Sequence, residues 1–585
     1  MNAEDVLKAA RSGSALGAAK LINLSLRGAD LSGLSAEGAL FSGCDLEGAN
    51  LSKAKLRGAR VLGCRAAGAD LGGADLSASE IVSTSFQGAR GKGVELRGAR
   101  VVRSSFDDAD LAGASLRGAL LSEVRARNAN LTGADLTASR MPGSKLAGAR
   151  LGGANLEGAM LATADLSNAS LHGASIKGAT FTNCDLTNAD LEEALAEGTN
   201  FSGADLRGAK LPRQLPRAAF VGARLTDRDE LGSEEPPWAD ERVKRPAVAL
   251  TFDEANLAGA VLRGLSLRGA SFRGADLTGA LLGESDLEGA SFDGAKLERV
   301  EASGARLRDV DFSGATISML LATGADLRGA RFVGAKVELT VLEDADLTDV
   351  DFSRAFLRGV DVSGARLDGV RIEGTVFHSV DFEGVDIAPL ELRGRRFPRC
   401  SFKGLDLSGR DLTGCDFTGA DFTEAKLEKT KLGLATLRQA NFHSATLTLA
   451  DLSECDAKAA FFGEATLDGA KLSKARLRYA TFTKASARAA NFAAADVRDA
   501  LAVELDASRA TFTGARLGFS DLSKADLSAA DFTQADLSGA NLHAVKDGGA
   551  VFAATNVLGV RRTDEARLRG ESWQRPPRPR TERAG

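Results

Sequence analysis

Residues 525–542 read "ADLSAADFTQADLSGANL", a stretch in which leucine or phenylalanine returns every five residues. The centres are Leu527, Phe532, Leu537 and Leu542, and an alanine stands two positions before each of them. This period matches neither the alternation of a strand nor the 3.6-residue turn of a helix, because the apolar side chains would not share one face. The chain must therefore bend in every unit, which predicts a stack of short, turned segments.

The same period organises most of the 585-residue chain. One array of centres runs in register from Leu26 to Leu211, and a second runs from Phe252 to Val557. The residue before each centre is often Asp, Asn, Arg or Lys, and glycine is common two positions after it. Glycine at that position suits a turn with a positive φ. We therefore expect two solenoid arrays in which each unit rests on its neighbours.

Phenylalanine adds a second period, of 20 residues, in the second array. Four units per coil would place residues 20 apart directly above one another, where stacked rings gain from offset contact. The column shifts by two units, to the opposite side of a four-sided coil, after Phe352 and again after Phe482. The predicted core columns are Phe252, Phe272, Phe292, Phe312, Phe332 and Phe352; Phe382, Phe402, Phe422, Phe442, Phe462 and Phe482; and Phe492, Phe512, Phe532 and Phe552.

The A-[DN]-[LF]-x-x pattern, as in "ANLSKAKLRGARV" at 49–61, resembles the pentapeptide-repeat family over most of the chain. The resemblance implies an all-β fold, a right-handed quadrilateral parallel β-helix. With four units per coil, the 38 and 62 units of the two arrays would form about 9 and about 15 coils, stacked about 4.8 Å apart. The predicted segments are an N-terminal helical cap at 1–20, a solenoid at 21–225, a loop or linker at 226–251, a second solenoid at 252–557 and a basic flexible tail at 558–585.

The N-terminal segment "AEDVLKAARSG", residues 3–13, predicts a short amphipathic helix. Asn2 is suited to cap its beginning, and Gly13 is suited to end it. A solenoid needs its open core covered, so we interpret this helix as a cap. A partner-binding helix is the alternative.

Two further segments lack the repeat. Residues 226–250 contain Pro236, Pro237 and Trp238, which predict a protruding loop or hinge between the arrays, with a disordered insertion as the alternative. Residues 558–585 hold eight Arg against four acidic residues, which is typical of a flexible basic tail. Docking of this tail to an acidic partner or to nucleic acid is its alternative role.

The residues that carry chemistry show no converging arrangement. All six cysteines stand two positions before a centre, where alanine is usual, and we interpret them as small buried residues. The four histidines stand one position after a centre and are predicted to lie on the surface, far apart: His172, His378, His443 and His543. No C-x-x-C, H-E-x-x-H, G-x-S-x-G or phosphate-binding loop occurs. We expect no enzyme, no cofactor, no metal site and no small-molecule substrate.

Some outward positions are apolar at multiples of 20 residues. Exposed apolar columns of this kind can mark association sites. The alternative is that these side chains pack on their stacked neighbours, as sheet-favouring residues do. Two possible partner-contact stripes follow, one before the centres at Val261, Leu281, Leu321 and Val341, and one after the centres at Leu62, Val82 and Val102.

These features favour a non-catalytic structural scaffold that presents flat β-helix faces for protein–protein interaction, with a protein partner of unknown identity. Self-association through an exposed stripe or a solenoid end is possible. The net charge of −5 makes nucleic acid an unlikely partner. The start of the chain does not read as a signal peptide and no apolar window could span a membrane, so a cytoplasmic protein is expected. The repeats, rich in Arg, Ala and Gly, resemble those of bacteria with GC-rich genomes, so a bacterial source is expected.

Two alternative functions come from the family resemblance alone. Some pentapeptide-repeat proteins imitate duplex DNA and bind DNA gyrase or topoisomerase IV, which confers quinolone resistance. Such mimicry needs an acidic surface, whereas residues 51–150 hold 16 Lys and Arg against 9 Asp and Glu. Other long arrays accompany bacterial type VI secretion components, which suggests an accessory or chaperone-like role.

Overall fold

The computed structural model describes residues 1–226, 249–571 and 573, and it shows an all-β parallel solenoid. The chain divides into two compact units, Met1–Lys336 and Val337–Gly585. In both units, residues one coil apart pair in parallel, as in Asp70↔Arg90 and Asp451↔Lys471. The centre residues point inward and are buried along each unit. The period of five thus becomes one side of a four-sided coil.

Each turn of the coil is closed by a short backbone hydrogen bond. In a representative unit, the N–H of Ala515 donates to the carbonyl of Phe512 at 2.9 Å. Gly514, between them, has φ +64° and donates its own N–H to Thr533 of the next coil at 2.9 Å. Glycine is favoured at this position because the left-handed conformation costs it little. The same turn therefore bends the chain and joins successive coils.

Most paired segments are single bridges, and eleven short strands occur among the described residues. Strands β1 to β6 form one parallel sheet in sequence order. Their bounds are β1 Lys20–Ile22, β2 Leu40–Ser42, β3 Arg60–Leu62, β4 Glu80–Val82, β5 Arg100–Val102 and β6 Leu120–Ser122. The remaining strands are β7 Lys296–Glu298, β8 Thr316–Ser318, β9 Lys336–Glu338, β10 Phe356–Arg358 and β11 Val376–His378. Within the units, β7 pairs with β8 and β10 pairs with β11, again in parallel.

Helix α1, Ala3–Ser12, precedes the first coil. The Asn2 side chain accepts a hydrogen bond from the N–H of Asp5 at 2.9 Å, and the Asp5 carboxylate accepts one from the N–H of Asn2 at 3.1 Å. Gly13, with φ +68°, ends the helix. Val6 and Ala9 are buried, so the apolar face of α1 is covered. Its role as a cap of the solenoid stays a prediction.

The parallel pairing continues across the insertion within the first unit. Gln214 pairs with Thr251 and Ala219 with Asn256, so the coil before the insertion stacks directly on the coil after it. The Asn200↔Ala219 pair shows that one residue is missing from that coil, which explains the change of phase in the sequence. Residues 227–248 therefore interrupt the repeat but not the pairing. The predicted loop lies almost wholly in this stretch, including Pro236, Pro237 and Trp238, outside the described residues.

Phenylalanine rings form stacks in the interior. Phe422 and Phe442 stack at 4.9 Å with 3° between their planes, and Phe512 and Phe532 stack at 4.8 Å. At the second shift of the column, Phe482 and Phe492 meet edge to face at 6.0 Å and 85°. Phe552, at the end of the last run, is only partly buried.

A further column of rings was not anticipated from the sequence. Phe377, Phe397 and Phe417 stand one unit before the column that begins at Phe382. Phe402 and Phe417 meet edge to face at 5.5 Å and 88°. Two neighbouring sides of these coils therefore both hold rings, and the interior there is filled by perpendicular aromatic contacts.

The segment predicted as a flexible tail contains a helix. The pairing ends with Asn541↔Arg561, and helix α2 follows at Glu565–Glu571. The Asp564 carboxylate accepts hydrogen bonds from the N–H groups of Ala566 and Arg567, at 2.9 and 3.1 Å. An aspartate before the first turn is a common N-terminal cap, which explains why a helix forms in this arginine-rich stretch.

Candidate functional site

Parallel pairing holds the outward side chains in straight columns. At a typical outward position, the N–H of Asp451 donates to Thr430 of the preceding coil at 2.9 Å. The N–H of the next residue, Leu452, donates to Lys471 of the following coil at 2.6 Å. Every outward residue therefore has a counterpart directly above and below it, about 4.8 Å away. A partner meets a regular grid of side chains rather than a cleft.

Many aspartates on this grid have a local structural task. The Asp531 carboxylate accepts hydrogen bonds from the N–H and the hydroxyl of Thr533, at 2.9 and 2.6 Å. These hydrogen bonds hold the pKa of Asp531 below its usual value, and the bond from the hydroxyl has the larger effect. Asp421 and Thr423 repeat the arrangement, at 2.9 and 2.6 Å. These carboxylates therefore stabilise the turns of their own units.

The stripe predicted in the first array lies on one sheet. Leu62 pairs with Val82, and Val82 pairs with Val102, in strands β3 to β5. All three side chains are partly exposed. Their neighbours Arg60, Glu80 and Arg100 form an ion-pair ladder on the same strands, with Glu80 bonded to both arginines at 2.9 and 3.0 Å.

The stripe predicted in the second array begins in the first unit. Val261 pairs with Leu281, Leu281 with Glu301, and Glu301 with Leu321. Leu321 is 42% exposed, and Val261 and Leu281 are partly exposed. Glu301, which interrupts the stripe, forms an ion pair with Arg263 at 2.9 Å. The charge of Glu301 is therefore neutralised by an arginine on the same surface.

In the second unit, Val341 begins a longer column than the sequence analysis recognised. Bridges at 20-residue intervals lead from Val341 through Asp361 to Phe461 and Leu501. Tyr479 and Phe519 stand beside this column at turn positions where glycine is common, and both are exposed. The stripe predicted from the sequence includes only Val341 of this column, so Phe461, Tyr479, Leu501 and Phe519 were missed. A signal was present in the sequence, because an aromatic residue in place of a turn glycine is unusual in this repeat.

His543 is buried, contrary to the prediction that all four histidines lie on the surface. It is 2% exposed, and its Nδ1 accepts a hydrogen bond from the N–H of Asp564 at 3.2 Å. Glu571 of α2 lies 3.8 Å from its Nε2 and forms an ion pair with Lys524 at 2.9 Å. The segment after the repeats therefore covers His543. His172 is exposed, and His378 and His443 are partly exposed.

The cysteine thiols lie in the interior, and the Cys64 side chain lowers the pKa of Cys44 to about 6. All six are free and buried. Burial raises the pKa of Cys184, Cys400 and Cys455 to about 12, so these three thiols stay protonated near neutral pH.

One group of side chains in the described part of the chain could approach a cation. The ligand atoms of His172, Asp190 and Glu192 lie within 4.8 Å of one another, and His172 and Glu192 are exposed. Such surface groups are common beside acidic columns, and nothing buried or unpaired points into this one. It therefore gives no support to a metal site.

Comparison with known proteins agrees with this architecture. The family model described as "Pentapeptide repeats (8 copies)" matches most of the chain. The chain belongs to the pentapeptide repeat family. The matched residues are 12–48, 25–61, 104–143, 144–183, 174–213, 251–289, 275–314, 325–364, 400–439, 435–473, 465–501 and 508–543.

Among solved structures, a pentapeptide repeat protein from the thylakoid lumen of Arabidopsis thaliana is 32% identical over 17% of this chain and 66% of that chain, with a TM-score of 0.14. HetL, involved in heterocyst differentiation regulation in Nostoc sp. strain PCC 7120, is 24% identical over 57% of this chain and 96% of its own, with a TM-score of 0.16. QnrB1, a plasmid-mediated fluoroquinolone resistance protein, is 19% identical over 36% of this chain and 91% of its own, with a TM-score of 0.17. The comparison with curated proteins found no match.

No helix in the described parts of the chain combines the length and the apolar character that a membrane crossing requires.

Proposed function

We propose that this pentapeptide repeat protein is a non-catalytic scaffold whose outer faces bind another protein. The observation that carries the proposal is the apolar column of the first unit, where Val261, Leu281 and Leu321 occupy outward paired positions. Apolar side chains that recur at outward positions of one face can mark an interaction site, although Glu301 divides this column. The coils hold these side chains at a fixed spacing, so the surface needs little ordering when a partner binds.

The proposal is tested by affinity purification of the tagged full-length protein from its native cells. The variant carries Leu281→Lys and Leu321→Lys, which place two charges in the apolar column. Ser291→Lys is the matched control, because it adds a lysine at an outward paired position in another column of the same unit. We expect the double variant to lose a protein that the wild type and the control recover. Recovery of the same partners by all three would remove this column as the contact site.

Purification also separates the more specific functions. Recovery of a type II topoisomerase would favour the DNA-mimic role, and a supercoiling assay would then test it. Recovery of secretion components would favour the accessory role. Analytical ultracentrifugation of wild type and double variant would show whether the column joins two copies of this chain. We further propose a cytoplasmic location, which the six free thiols support because free cysteines suit a reducing compartment; fractionation would test it.

A further inference from the structure

A second, aromatic surface lies on one edge of the second unit. We call it the aromatic edge and define it as Phe461, Tyr479, Leu501 and Phe519, whose exposed fractions are 41%, 46%, 52% and 70%. The pairs Phe461↔Thr481, Thr481↔Leu501 and Leu501↔Asp521 place it on four successive coils. Tyr479 and Phe519 stand at the turns just before Thr481 and Asp521. The edge therefore extends about 15 Å along the unit.

Exposed aromatic residues are concentrated on this edge. Aromatic residues are 5% of the chain, and most of the phenylalanines lie in the interior. In the ranges that the structure describes, the exposed aromatics are Phe461, Tyr479, Phe519 and Trp573. Three of the four belong to the aromatic edge. Large aromatic side chains, together with arginine, dominate the energetics of protein interfaces.

Two of the rings rest on glycines that leave room for them. A Cβ on Gly463 would lie 2.5 Å from the ring of Phe461, and one on Gly539 would lie 2.7 Å from the ring of Phe519. Gly463 is buried, and its carbonyl lies 3.1 Å from Nδ1 of His443. The rings therefore lie against the backbone with one side covered. A platform placed in this way loses little side-chain freedom when a partner binds.

Tyr479 and Phe519 occupy turn positions that are costly for large side chains. Their φ angles are +64° and +61°, in the left-handed region. The turn itself requires only this backbone conformation, which glycine adopts without strain at many other turns of the solenoid. Exposed rings at two turns that glycine would form without strain favour a functional explanation for the rings; the φ angle alone does not, because many other non-glycine residues also adopt it.

A column of cations runs beside the edge. Arg438, Lys458, Arg478 and Arg498, which we call the basic column, occupy the same position on four successive coils. Lys458 Nζ and Arg478 Cζ lie 5.7 and 4.7 Å from the centre of the Tyr479 ring. The three arginines form ion pairs, whereas Lys458 has no carboxylate partner among the described residues. Three carboxylates thus offset the charge of three of these cations, and the excess positive charge lies at Lys458, beside the Tyr479 ring.

We propose that the aromatic edge docks an acidic, amphipathic segment of a protein partner. Apolar side chains of that segment would cover the rings, and its carboxylates would face the basic column. The inference rests on the proposed function, namely that the outer faces bind protein, and it adds a second site, in the second unit, with the chemistry of its partner. Two copies of this chain joined edge to edge would bring the basic column against itself, which disfavours self-association here. Asp456, Asp496 and Asp499 pair three of the four cations, so the column has one excess cation, Lys458, for a carboxylate of a short segment but not the row of cations that the phosphates of a nucleic acid require.

The probe is a fluorescein-labelled peptide of about 15 residues in which glutamate alternates with leucine and phenylalanine. A second peptide carries lysine in place of every glutamate. Fluorescence anisotropy with the full-length protein should show binding of the acidic peptide, weakening as salt is raised. The lysine peptide should not bind. Absence of binding by the acidic peptide, or equal binding of both, would overturn the proposal.

The decisive variants are Tyr479→Gly and Phe519→Gly, which remove a ring and relieve a strained turn. Each should weaken binding of the acidic peptide by about tenfold or more, as loss of an aromatic anchor does. Leu434→Gly and Leu449→Gly are matched controls, because both are exposed apolar residues at left-handed turns, with φ +59°, outside the aromatic edge. The controls should bind as the wild type does. Unchanged binding by both edge variants would reject the aromatic edge as the site.

Thermal melting distinguishes a variant that has lost only peptide binding from one whose fold is destabilised. Phe519→Gly should melt at the same temperature as the wild type or higher, because glycine tolerates this φ. A clear fall in its melting temperature would show that the ring stabilises the fold, and would overturn the functional reading of the strain. In the native-cell purification, a partner that is retained by Tyr479→Gly and Phe519→Gly but lost with Leu281→Lys and Leu321→Lys would leave the scaffold function standing and reject this edge.

Discussion

The rings of Phe442 and Phe462 stack with their centroids 4.9 Å apart and their planes 4° from parallel, one coil above the other. Phe422 stacks on the opposite side of Phe442 at 4.9 Å. Phe442 is fully buried, so its ring has aromatic neighbours on both faces and no access to water. Because each coil mainly contacts its neighbours, a defect in this stack should first loosen the adjacent coils.

We expect Phe442→Asp to lower the free energy of unfolding by about 4 kcal/mol or more, because it places an unpaired charge in the interior and leaves a cavity. Phe442→Leu is the control, since leucine fills the same position in many units, and it should cost about 1–2 kcal/mol. Thermal melting followed by circular dichroism measures both. An unaffected melting temperature for the aspartate variant would show that this position does not face the core.

Two turns on the same side of adjacent coils allow a pair of opposite substitutions, glycine to alanine in one and alanine to glycine in the other. Gly514 and Ala494 have φ +64° and +56°, and a Cβ on Gly514 would meet nothing within 4 Å. Gly514→Ala should therefore destabilise by about 1 kcal/mol through backbone conformation alone. Ala494→Gly should be neutral or stabilise by up to about 1 kcal/mol. Equal melting temperatures for the two single variants would contradict the assigned turn geometry.

Three of the six buried thiols, those of Cys184, Cys400 and Cys455, should not react in the native protein. With the pKa of Cys184, Cys400 and Cys455 raised to about 12 by burial, we expect no reaction with iodoacetamide at pH 8 over minutes. The unfolded chain should be modified at all six cysteines. Mass spectrometry of peptides identifies each site, and rapid native labelling of Cys455 would show that its coil opens locally.

Docking of α2 should depend on the charge of Glu571. Lys524 and Arg567, at 2.9 and 2.7 Å, lower the pKa of this carboxyl to about 2. Glu571→Gln should therefore increase hydrogen exchange of residues 565–571 at pH 7, while exchange in the coils around Phe442 stays unchanged. Exchange equal to that of the wild type in residues 565–571 would show that the ion pairs do not hold the helix.

The same contact predicts a pH dependence with a definite sign. A carboxyl whose pKa is lower in the folded state stabilises that state above its ordinary value of 4.5, and this contribution is lost as the pH falls towards about 2. In a Trp238→Phe background, the anisotropy of Trp573 should stay constant from pH 7 to 5 and fall below pH 4.5. Glu571→Gln should abolish that transition, and its persistence would assign the transition to another group.

The interior could be predicted because the residues that face it follow a short sequence repeat. A leucine or phenylalanine at every fifth position, with alanine two positions before it, defines the inward side chains without knowledge of distant residues. The 20-residue recurrence of phenylalanine then indicates which units lie above one another, as Phe512 and Phe532 do. The family match and the parallel pairing agree with that interpretation.

The outer surface could be predicted only in part, because its properties depend on residues brought together from different coils. The columns of Val261 and Leu281 follow from the 20-residue register. The seating of Phe461 against Gly463, and of Phe519 against Gly539, depends on backbone positions that no spacing rule reveals. His543 obeys the rule for an outward residue and is nevertheless buried, because the segment after the last coil folds back over it.

The amino-acid sequence by itself thus determined that the chain bends in every unit and which residues face inward, since apolar side chains that recur every five residues share no face of a straight helix or strand. The 20-residue recurrence of phenylalanine, together with the family resemblance, indicated four sides. Only the tertiary structure decided which outward residues are available to a partner. That outcome depends on contacts between coils, such as those of Gly463 and Gly539 with exposed rings, and on the segment after the last coil, which covers His543. The physical reason is that burial of the core is repeated in every unit, whereas each exposed cluster occurs once.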